Sequence, residues 1–186
     1  MKRTMKAWLG VASVLAVPGL AGCGGGGGTS TDAPITAPVI KSHSTLVTLS
    51  NGLIGTVTED NLTIPVGGTV TYTLTLTNPT TQPITFQTVK RDAGPSGGVG
   101  DALTVKDAKG SVTFPQGSFG QVVTYGPTTT LAPKTSMSGT LAVGGSKDLG
   151  QFSAAGPYFA SATFTVLTPT GTPASGTTLP LEVDVQ

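Results

Sequence analysis

The chain's reactive side chains are few: one cysteine, one histidine and nine carboxylates in 186 residues. His43 lies between Ser42 and Ser44, which supplies a base and hydroxyls but no frame. Nucleophilic catalysis of the Ser-His-Asp kind needs the base held rigidly against its partners. His43 therefore reads as an exposed linker histidine. Zinc needs several His or Cys ligands, and Cys23 and His43 are one of each, far apart. The carboxylates include Glu59-Asp60, Asp92, Asp101, Asp107, Asp148, and Glu182 with Asp184. Paired acids can hydrolyse glycosides or bind calcium, and Glu59-Asp60-Asn61 is a turn that could collect oxygen ligands. No EF-hand or repeated Asp-x-Asp spacing supports either, so these groups read as solvated surface charge. The glycines between Gly94 and Gly100 precede no Lys-Ser/Thr and no helix, so they make no phosphate loop. The expectation is a chain with no catalytic residues, no metal and no cofactor.

Cys23 has a different setting. Met1 to Lys6 carries three basic residues and no acidic one, and an apolar run follows from Ala7 to Ala21. That run is short of the roughly 20 residues a spanning helix needs. Pro18 and Gly19 weaken helix where such a span would have to continue. A basic start, a short apolar core and a small-residue cleavage site mark a removable export signal. The tetrad Leu20-Ala21-Gly22-Cys23 resembles the lipobox of bacterial lipoprotein precursors. The resemblance implies cleavage between Gly22 and Cys23, diacylglycerol on the Cys23 sulfur and acylation of the new amine. Two or three acyl chains, at about 0.8 kcal/mol per buried methylene, anchor a small domain almost irreversibly. Gly24 stands where an inner-membrane retention signal usually has Asp, which by resemblance implies the outer membrane if the organism has one. The address expected is exported and membrane-anchored.

Loss of residues 1–22 removes three of ten basic residues and leaves seven against nine acidic, a net charge near −2. No basic patch of the kind nucleic acid requires is present, so that class of partner is excluded. With the lone cysteine committed to lipid there is no disulfide, and an apolar core must hold the fold. Residues 23–44 run from glycines into Thr, Ser, Ala and Pro with no apolar period. They read as a tether whose random-coil span is on the order of 25 Å.

The domain expected is 45–186. Thr69 to Thr77 alternates without a fault: Val70, Tyr72, Leu74 and Leu76 share one face and five threonines the other. Period two puts one face in a core and leaves the other wet. Asn78 to Pro83 reads as a turn, after which Ile84 to Val89 pairs back with Ile84 and Phe86 inward. Further strands are expected at Thr45–Leu49, Leu53–Thr58, Leu103–Lys106, Val122–Tyr125, Thr135–Val143, Tyr158–Val166 and Leu179–Val185. Gly- and Pro-rich connections separate them, Pro169 to Gly176 among these. About seven to nine short strands without helical periodicity predict an all-β fold, a single immunoglobulin-like antiparallel β-sandwich. Phe114, Phe119, Tyr125, Phe152 and Phe159 are not all accommodated inside it. Phe159 falls on the outward phase of its strand, and with Phe119 and Gly97 it is a candidate surface for a protein partner.

The turns carry a second likeness. Thr71 to Pro79, Pro83-Ile84-Thr85-Phe86, Leu131-Ala132-Pro133 and Gly156-Pro157-Tyr158 resemble the intracellular proteinase inhibitor family of immunoglobulin-like domains. The likeness covers about Val66 to Val166, and it implies the sandwich fold and, as one activity, inhibition of a serine protease. From Arg91 to Gly120 the chain departs from the family, being glycine-rich where the family is more aromatic, so no inhibitory residue is carried over. The function expected is a non-catalytic binding or structural module with a protein partner in the cell envelope. Protease inhibition is the alternative. A calcium-dependent carbohydrate binder or an enzyme ranks last, for want of His, Trp and clustered acids.

Overall fold

Alternation of threonine with large apolar residues makes β4 (Thr69–Thr77) a two-faced strand. The computed structural model of the chain describes residues 43–91, 99, 102–115, 123–145 and 151–186. The expected signal, its cleavage site at Gly22 and Cys23, the tether up to Ser42, and Gly97 and Phe119 lie outside the described residues.

Twelve strands are described. One sheet has the order β1 (Ser44–Thr48), β2 (Ile54–Glu59), β4, β9 (Ser136–Gly144), all antiparallel. The other is built on β10 (Gly156–Leu167), twelve residues long. Its first half pairs with β12 (Leu181–Val185) on one side and β6 (Ala102–Asp107) on the other. Its second half pairs with β11 (Pro173–Thr177) and β5 (Ile84–Arg91). β8 (Val123–Leu131) extends β5, β7 (Val112–Pro115) extends β6, and the two-residue β3 (Thr63–Ile64) runs parallel to β12. The all-β sandwich expected from the strand pattern is present. It differs from the expectation in one parallel pair and in three additional short strands, β3, β7 and β11.

The core is the sum of the inward faces. Tyr72, Phe86, Phe152 and Phe164 are its largest fully buried side chains, surrounded by Leu49, Leu53, Leu74, Leu76, Leu103, Leu141 and Leu181. Tyr158, Ala160, Ala162, Phe164 and Val166 alternate inward along β10, as period two predicts. Phe152, unplaced by the pattern, is 1% exposed; its ring meets Tyr158 edge-on with centroids 5.1 Å apart. The sheets approach closely where β2 crosses β10. A Cβ on Gly55 would lie 2.5 Å from the Phe164 ring, so the position admits no side chain without moving that ring. At the end of β9, Gly144 takes φ of 102°, where a Cβ would also meet the Gly68 carbonyl at 2.2 Å.

Outside, hydroxyls pair across strands. Thr75 meets Ser138 at 2.8 Å and Thr77 meets Ser136 at 2.9 Å on one sheet. Thr163 meets Thr177 at 2.9 Å and Thr165 meets Ser175 at 2.8 Å on the other. These cross-strand pairs stabilise wet faces that carry few charges, each by a few tenths of a kcal/mol up to about 1 kcal/mol.

Candidate functional site

Two buried polar clusters stand out among the described residues, and neither is a surface feature. The first is the corner at Asn78. Its side chain is fully buried. The amide nitrogen donates to the carbonyls of Gln82 at 2.8 Å, Leu131 at 3.0 Å and Ala132 at 3.3 Å. The amide oxygen accepts from the Thr80 N–H at 3.0 Å and the Thr80 hydroxyl at 2.7 Å. Backbone bonds reinforce it, from Asn78 N–H to Thr135 O and from Lys134 N–H to Asn78 O, both 2.9 Å. Lys134, the described non-glycine residue with positive φ (60°), also donates its ammonium to the Pro79 carbonyl. One amide thus joins the β4–β5 turn to the β8–β9 turn and spans both sheets. The Asn-Pro and Leu-Ala-Pro segments are the two halves of this corner.

The second cluster is at the far end of β2. Glu59 and Tyr72 are direct cross-strand partners of β2 and β4 and both face inward. Glu59 is 2% exposed and Tyr72 0%. Neither carboxylate oxygen of Glu59, nor the Tyr72 hydroxyl, has a hydrogen-bond partner among the described residues. Burial, then the neighbouring charge of Asp60, pushes the Glu59 carboxyl up to about 8 from an ordinary 4.5. Burial, then Glu59 and Asp60, push the Tyr72 phenol far above its usual value. At pH 7 the pair is a neutral acid beside a neutral phenol.

Glu59 is also where the chain enters the domain. Its N–H donates to the His43 carbonyl at 2.9 Å, and its carbonyl lies 3.2 Å from His43 Nδ1. The reading of Glu59 as solvated charge is corrected here: the period-two phase of β2 places it inward with Gly55 and Val57. Asp60 is exposed, and its Oδ1 accepts the Thr71 N–H at 2.9 Å. The two carboxylates diverge, so Glu59-Asp60-Asn61 does not collect oxygen ligands around a common point. His43 is exposed, as expected, yet held at its backbone.

Phe159 lies half-exposed on the outer face of β10. With Lys106, Ser161, Thr177, Thr178 and Pro180 it lines a shallow cleft of about 160 Å³. Glu182 and Asp184 share the outer face of β12, as the alternation requires, and meet Leu62 and Thr63 in a second open hollow. Asp184 there accepts from Gln186 Nε2 at 2.9 Å. Among the described residues no three His, Cys, Asp or Glu side chains converge.

No protein-family model matches the chain, and no curated protein matches it. Solved structures give loose similarities. The C-terminal domain of wzt has 8% identity and a TM-score of 0.37, over 77% of this chain and 74% of that one. A structural-genomics target has 13% identity and a TM-score of 0.35, over 76% and 81%. The ASH/PapD-like domain of human CEP192 has 15% identity and a TM-score of 0.31, over 70% and 84%. Similarities this loose carry no argument about function; the fold rests on the strand order itself.

Proposed function

We propose that this chain is a lipid-anchored envelope protein that holds a non-catalytic immunoglobulin-like module away from a membrane. The observation that carries the reading is Leu20-Ala21-Gly22-Cys23, set behind a basic start and a short apolar run and ahead of a glycine tether. The described sandwich begins at Ser44, close to where that tether is expected to end. A displayed module of this kind works through its surface, against another protein of the envelope. The inhibitor reading stands on the Asn78-Pro79 and Leu131-Ala132-Pro133 likeness, and those residues are engaged in building the corner. Their presence is accounted for by fold, so the module is the better supported reading.

The test is the anchor. Expressed with its signal in a bacterium that has an outer membrane, the chain is expected to take up radiolabelled fatty acid and sediment with membranes. Cys23→Ser is expected to lose the label completely and to leave the lipid-modified membrane pool. Equal labelling of both forms would end the lipoprotein reading.

A further inference from the structure

An unpaired strand edge offers a row of N–H and C=O groups to any extended chain, and proteins commonly blunt such edges with proline, charge, bulges or brevity. Most edges described here are blunted. β3 has two residues, β7 has four and ends in Pro115, and β11 starts at Pro173. β8 carries Gly126-Pro127 and a bulge against Gln87–Val89. β1 lies against β11, with Val47 packed on Gly176. β9 differs. Its nine residues, Ser-Met-Ser-Gly-Thr-Leu-Ala-Val-Gly, contain no proline and no charge. They pair with β4 in unbroken register from Gly144 to Ser136. β9 ends its sheet, and no described strand lies on its other side.

We propose that the edge of β9 pairs, antiparallel and about a two-fold axis at Thr140, with β9 of a second copy of this chain. The sequence of the edge argues for a copy of itself. The register centred on Thr140 is the one that pairs all nine residues. On the inner face it sets Met137 against Val143 and Gly139 against Leu141, small against large on a face shared with Leu74, Tyr72 and Val70. On the outer face it sets Ser138 against Ala142 and Thr140 against Thr140. That last contact repeats the hydroxyl pairing already used at Thr75–Ser138 and Thr163–Thr177. No like charges meet anywhere along the strand, and an isologous contact closes after two copies. The two four-stranded sheets become one of eight.

The test uses full-length protein in membranes, with a mild oxidant and with the unmutated chain as baseline for Cys23. Directly opposed Cα atoms stand about 5 Å apart and can be bridged, so Thr140→Cys is expected to give roughly tenfold more covalent dimer than Thr73→Cys. Thr73 lies on the same outer face one strand in, three spacings of about 4.8 Å from its own copy. Ser138→Cys and Ala142→Cys, co-expressed on separate copies, are expected to crosslink to each other more than either does to itself. Equal yields at positions 73 and 140 would signify random collision and overturn the proposal. So would absence of dimer in both the Thr140 and the Ser138/Ala142 arms, or capture at position 140 of a different protein in place of a second copy.

Discussion

Asn78→Leu is expected to lower the stability of the sandwich by about 3 kcal/mol, the largest loss from any single polar group described. Leucine has the same branched heavy-atom skeleton with bulkier ends, so no cavity is left and the loss comes from hydrogen bonding and some overpacking. Three carbonyls lose the amide as a donor: Leu131 at the end of β8, and Gln82 and Ala132, which keep the Thr80 and Thr135 hydroxyls respectively. Thr80 loses the acceptor for its N–H, while its hydroxyl is left with the Gln82 carbonyl alone. A buried group left unsatisfied costs roughly 1–3 kcal/mol, and water reaches only the exposed members of this set. Asn78→Asp is expected to be comparably damaging, since it keeps the acceptor for Thr80 but removes every donor and buries a charge. Urea denaturation of the unlipidated Cys23→Ser chain measures the effect as a lower midpoint at unchanged slope. A loss under about 1 kcal/mol would mean that water replaces the amide and that the corner is not what joins the sheets.

The pH dependence is the second large effect, and it runs opposite to ordinary acid denaturation. Glu59 is held protonated in the folded state up to about pH 8, whereas its ordinary value is 4.5. Below 4.5 both states carry the proton and Glu59 contributes nothing to the balance. Between 4.5 and 8 the unfolded chain releases it and the folded chain does not, so the unfolded state gains. Stability then falls as pH rises, by at most about 1.4 kcal/mol per pH unit for one proton. Above 8 both states are ionised and the loss levels off at its full value. Glu59→Gln removes the titrating group and is expected to flatten this slope. The difference between variant and parent should grow from pH 5 to pH 8 in favour of the variant. The measurement is a set of urea midpoints across that range for both proteins. Parallel profiles would show that the Glu59 carboxyl finds water or a partner and titrates normally.

Both residues show where reading a sequence in order succeeds and where it stops. Strands whose inward residues are all apolar, such as β4, β10 and β12, are legible from alternation alone. Glu59 keeps the same alternation, but the cost of burying a carboxylate argues against placing it inside. Only the neutral, protonated form makes the position tolerable, and that depends on neighbours. Asn78 reads correctly as a turn residue. Its role in the corner depends on carbonyls 53 and 54 residues away, which no local pattern reveals. β11 fails for a third reason. Pro-Ala-Ser-Gly-Thr has the composition of a loop and buries only Ala174. It is a strand because β10 runs on past β12 and supplies both a backbone ladder and the hydroxyls of Thr163 and Thr165. The candidate surface at Phe159 was legible as an outward phase. The Lys106 and Pro180 walls of its cleft come from other parts of the chain and were not.

The long strand β10 has a bearing on the order of events during synthesis. It is the shared partner of β5, β6, β11 and β12, yet it comes after nine other strands in the chain. Until Gly156–Leu167 is available, β5 and β6 have one flank each without a mate, and half of the core has no floor. The pairings that join β5 and β6 to β10 therefore close long loops and close late, and long loop closure slows folding. For the exported chain proposed above, such delay is an advantage. The emerging N-terminal segments cannot lock into a sandwich while the remainder is still on the other side.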